Sequence, residues 1–75
     1  MMSVTRLTGL RRADLTSAER ALLRLLVSGW PLEEAAPALG LPPRDAERLL
    51  ASLQSRCGAS SSTRLLAIAV LNVWV

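Results

Sequence analysis

Three glycines divide this chain into runs of apolar residues at helical spacing, and that pattern limits its fold more than any other feature. Ala46, Leu49, Leu50, Leu53 and Cys57 recur at i, +3, +4, +7 and +11, an unbroken stripe along a helix from about Pro43 to Cys57. Arg44, Asp45, Glu47, Arg48, Ser52, Ser55 and Arg56 fall on its other side. Leu32, Ala35, Ala36 and Leu39 give the same spacing over about Leu32 to Leu39, and Leu22, Leu25 and Leu26 give it earlier, with Leu23 flanking. Gly29, Gly40 and Gly58 follow these three runs. Glycine there is a stop signal, because it enters the left-handed backbone region without steric cost. Sixteen Leu and eleven Ala agree with an all-α chain, since both residues favour helices and neither is typical of strands.

The helix starts are also marked. Thr16-Ser17-Ala18-Glu19 has the form of a capping box, in which Thr16 accepts from the Glu19 amide and Glu19 reaches back to the Thr16 amide. Pro31 suits a first-turn position. Pro37 does not: an interior proline removes an amide donor and crowds the preceding turn, at a cost of about 3 kcal/mol. A short or bent second helix is expected. Gly58 to Ser62 is a small polar loop, and Ser61 or Ser62 can cap a fourth helix beginning near Thr63. That helix is apolar almost all round, through Leu65, Leu66, Ile68, Val70, Leu71 and on to Trp74. Two readings stand open for it: a homodimer interface built on Leu66, Val70, Leu71 and Trp74, or close packing on the first helix with a frayed end.

The inventory excludes several functions. At 75 residues the chain holds one core. It has no His, so imidazole bases and His-ligated metals are excluded, and its single Cys57 cannot build an internal disulfide or a cysteine zinc cluster. Its six carboxylates form no catalytic constellation; an enzyme is not expected, nor is any metal or cofactor. No apolar stretch approaches the roughly 20 residues that cross a bilayer, and no secretory signal is evident, which with the free Cys fits a cytoplasmic protein. The opening Met1-Met2 reads as a natural start.

Charge points to a partner. All nine basic residues are Arg, giving +3 against the six acids and a pI near 11.1. A small basic domain is the electrostatic profile of a nucleic-acid binder. The excess is uneven. Residues 1–14 carry Arg6, Arg11 and Arg12 against Asp14, a net of +2, and read as a flexible basic arm; residues 15–75 carry six Arg against five acids, a net of +1.

Two helices joined by Gly40-Leu41-Pro42-Pro43, with one helix before and one after, make a tetrahelical helix-turn-helix layout. The residues resemble a family as well. Leu15-Thr16-Ser17-Ala18-Glu19-Arg20-Ala21-Leu22-Leu23-Arg24-Leu25-Leu26-Val27-Ser28-Gly29 is similar to the opening L-T-x-x-E-R-x-V-L-x-L-L-x-x-G of LuxR/GerE-type DNA-binding domains. Glu34-Ala35-Ala36 and Leu39-Gly40-Leu41 fall where that family has E-I-A and L-G-I, and Arg56-Cys57-Gly58-Ala59 where it has K-L-G-V. The likeness spans about residues 15–69. It implies a transcription regulator whose third helix enters the major groove and whose fourth dimerises. The chain departs from the family at the third helix, where Pro42, Asp45 and Glu47 stand in place of its Ser, Thr and frequent Lys. A carboxylate beside phosphates repels them instead of releasing counterions.

Two functions follow. In the first, a dimer binds duplex DNA through Arg44, Arg48 and Ser52, with Arg56 on the backbone and Arg11 and Arg12 of the arm adding contacts. A bland alternative for these arginines is a solvated face of i,i+3 pairs, Arg44 with Glu47 and Asp45 with Arg48. In the second, the module no longer reads DNA and binds protein, either another regulator or RNA polymerase. Trp30 or Trp74 would anchor that contact, although Trp30 equally suits a lid over the junction of the first two helices. Cys57, at a Leu position of the family pattern, is either a small buried hydrophobe or a redox switch.

Overall fold

The computed structural model describes residues 11–74, and among them the chain is entirely helical. A turn of 3-10 helix at Arg12–Asp14 leads into α1 (Ser17–Val27), α2 (Leu32–Ala38), α3 (Pro43–Cys57) and α4 (Ser62–Leu71). Each helix packs on the next, and α4 returns to pack on α1, closing the four into a ring.

The caps explain the boundaries. The capping box at the start of α1 forms in full: the Thr16 hydroxyl accepts from the Glu19 amide at 3.1 Å, and the Glu19 carboxylate accepts from the Thr16 amide at 2.8 Å. Such a cap contributes about 1 kcal/mol. Ser61 caps α4 by accepting from the Arg64 amide at 3.2 Å. α2 and α3 start behind Pro31 and Pro42 with no side-chain cap, and each carries acids in its first turn, Glu33 and Glu34 in one and Asp45 in the other. Those carboxylates face the positive end of the helix dipole, a stabilising position. α2 is short, seven residues, with Pro37 next to last, so the missing amide costs only the final turn.

All four helices end alike. In each, one residue donates back five positions and its predecessor donates back three: Trp30 to Leu25 and Gly29 to Leu26, Leu41 to Ala36 and Gly40 to Pro37, Ala59 to Gln54 and Gly58 to Ser55, Trp74 to Ala69 and Val73 to Val70. This is the Schellman pattern, which needs one residue in the left-handed region. Gly29, Gly40 and Gly58 fill that place at φ 100°, 71° and 68°; Val73 fills it at φ 56°.

Ala35, Ala36, Ala46, Leu53, Leu65 and Ala69 form the centre of the core with Leu22 and Leu23. Leu23, expected at the flank of α1, is fully buried, while Leu25 and Leu26 are half-buried. The inward row of α1 is Glu19-Leu22-Leu23, so an acid occupies the first position of an apolar stripe. Trp74 corrects the sequence reading. Expected on the dimer face or in a frayed end, it is 1% exposed and is the largest fully buried side chain. The arm expected over 1–14 is structured where it is described: the Asp14 amide donates to the Arg11 carbonyl and the Asp14 carboxylate accepts from the Arg11 amide, both at 2.9 Å. Residues 1–10, including Arg6, lie outside the described part.

Candidate nucleic-acid interface

The side chains of interest project from α3, and its helical phase decides where each one goes. At 3.6 residues per turn, a step of four residues rotates about 40°. Ala46, Leu50, Leu53 and Cys57 are buried, which fixes the inward side. Arg44 and Arg48 then point away from the core; both are exposed. Neither of the expected pairs, Arg44 with Glu47 or Asp45 with Arg48, closes among the described residues. Ser52 is exposed one step further round.

The fourth member of that row has turned about 120° from Arg44, by the same arithmetic, and faces α1. There the Arg56 guanidinium pairs with the Glu19 carboxylate. Glu19 is 5% exposed, and its other oxygen is the one that accepts the Thr16 amide. Arg56, assigned from sequence to the DNA backbone, is thus engaged within the molecule. The four charged groups on the outer side of α3, Arg44, Asp45, Glu47 and Arg48, cancel, and the exposed Glu33 and Glu34 lie at the start of α2. Nothing in the sequence near either residue announced the Glu19–Arg56 pair, since its members stand 37 positions apart. The one available signal was Glu19's place in the apolar row, which demands a cation nearby.

The other residues singled out from sequence separate into surface and core. Val70 and Leu71 are exposed at the end of α4, Leu66 is half-buried against the core, and Val73 beyond the helix is exposed. Trp30 is not a lid: it is 47% exposed, and Val27, three residues earlier, is exposed as well. Arg11 is exposed, and Arg12 begins the 3-10 turn. Cys57 is buried, and burial pushes its thiol up, only partly opposed by the charge of neighbouring Arg56. A protonated, enclosed thiol is a packing group rather than a redox switch. Among the described residues no group of His, Cys, Asp and Glu could hold a metal, and no helix is long and apolar enough to cross a membrane. No known protein family matches the chain, and neither curated proteins nor solved structures provide a match.

Proposed function

We propose that the chain is a small helix-turn-helix regulator of the LuxR/GerE kind that binds duplex DNA in the cytoplasm as a homodimer. The observation that carries this reading is the outer line of α3. Arg44 and Arg48 are exposed, lie one turn apart, and are held by no carboxylate among the described residues. They stand on a 15-residue helix that follows another across a short turn. Such a line suits phosphates and base edges, with Ser52 adding a neutral contact. Val70 and Leu71 on α4 would supply the dimer contact, and Leu66 would support it from beneath.

The test is fluorescence anisotropy of a mixed-sequence duplex at about 50 and 200 mM salt, a range over which phosphate contacts weaken steeply. Salt-sensitive binding that Arg48→Ala reduces, with helical circular dichroism unchanged, is the expected result. Salt-independent binding, or none, rejects the reading.

A second reading, a module that binds another regulator or RNA polymerase, is favoured by a different observation. The outer side of α3 has no net charge, while Val27 and Trp30 are exposed together. A half-exposed Trp is the residue type that anchors protein interfaces. Trp30→Ala separates the two functions, since it lies off α3 and should leave DNA affinity unchanged.

A further inference from the structure

The Glu19–Arg56 pair fastens α1 to α3, and nothing proposed above makes use of it. We propose that Glu19 also withholds Arg56 from the DNA backbone, a built-in brake on the affinity of the chain for duplex DNA. This rests on the DNA reading. Glu19 is almost fully enclosed, and its two oxygens have separate partners, the Thr16 amide and the Arg56 guanidinium. Leaving a carboxylate at such a depth without its cation is costly. Drawing Arg56 away to a phosphate would strand it. Yet the Arg56 side chain is 37% exposed, so it lies at the surface, within reach of an approaching backbone. A phosphate arriving there meets a neutral pair, not a cation, and releases no counterion. Arg44 and Arg48, exposed and without an ion pair among the described residues, are under no such constraint.

Glu19→Gln releases the brake. Gln still accepts the Thr16 amide in the capping box, so α1 keeps its start while Arg56 loses its anion. Circular dichroism and a melting curve establish that the variant is folded. Anisotropy with a mixed-sequence duplex then compares wild type, Glu19→Gln, the double variant Glu19→Gln/Arg56→Gln, and Arg56→Gln alone. One added phosphate contact steepens the salt dependence of log affinity by about 0.9, equivalent to a gain of about 15-fold at 50 mM salt and about 4-fold at 200 mM. Glu19→Gln should show this gain, and the double variant should return to the wild-type slope. Arg56→Gln alone should leave that slope unchanged.

A Glu19→Gln slope equal to wild type overturns the proposal. So does a gain that survives in the double variant, because Arg56 would then not be its source. A slope that falls in Arg56→Gln alone means that Arg56 already holds phosphate, which also overturns it. Binding by Glu19→Gln but not by wild type supports a complete brake. Binding by neither at 50 mM salt rejects the DNA reading, and the brake with it.

Discussion

The ends of α1, α2 and α3 and the end of α4 make the same hydrogen bonds by different means. Three of them turn on glycine, where nothing lies within 4 Å of the position a Cβ would take. The fourth turns on Val73, a β-branched residue at φ 56°, for which the left-handed region costs about 1–2 kcal/mol. What holds Val73 there is the next residue. Trp74 is sealed in the core, and its burial outweighs the local cost. Its seat is not ideal, because the indole Nε1 is buried with no hydrogen-bond partner among the described residues. The first three ends are therefore set by local backbone preference, and the last by tertiary packing that overrides it.

That contrast can be broken most forcefully at Trp74. Trp74→Ala should cost about 3–5 kcal/mol in urea denaturation, with loss of helicity from the end of α4 as Val73 relaxes. A loss below 1 kcal/mol would mean that packing does not hold this end. Gly58→Ala and Gly40→Ala should each cost about 1 kcal/mol, from backbone conformation alone since the added methyl meets no neighbour. Thermal unfolding checks this, and an unchanged melting temperature would remove glycine as the stop. Val73→Gly should run the other way and stabilise by about 0.5–1 kcal/mol, the relief of strain less the extra freedom of glycine in the unfolded chain. Destabilisation would show that the exposed valine side chain makes a contribution of its own. Trp30→Ala should change stability by less than about 0.5 kcal/mol, the usual range for a surface side chain, which would set the two tryptophans apart as surface and core.

The legible parts of the fold were those encoded within a few residues. The Thr16–Glu19 box, the Pro43 start, the cap at Ser61 and the three glycine stops all depend on neighbours along the chain, and α1 to α3 begin and end within a residue or so of the spans read from sequence, whereas α4 stops at Leu71, short of the Trp74 that its apolar run reaches. Trp74 was not legible in this way. A Schellman turn without glycine has no sequence mark, and an apolar tail reads the same whether it faces a partner or its own core. The α3 surface divides similarly. Arg44 and Arg48 follow from periodicity, because opposite the stripe means exposed. Arg56 does not, because its direction depends on a drift of about 40° per four residues and on an acid that only the folded chain brings near.

The ring of helices has a kinetic consequence. Three of its packed pairs join helices that are consecutive in the chain, and α1 with α4 alone joins the two ends of the domain. Local pairings close small loops and form quickly, placing a chain of this kind in the microsecond-to-millisecond range of folding times. The α1–α4 contact closes the longest loop, so it carries the greatest closure entropy. The seating of α4, with Trp74 behind it, then belongs to the late part of the folding reaction, and damage there should speed unfolding far more than it slows folding.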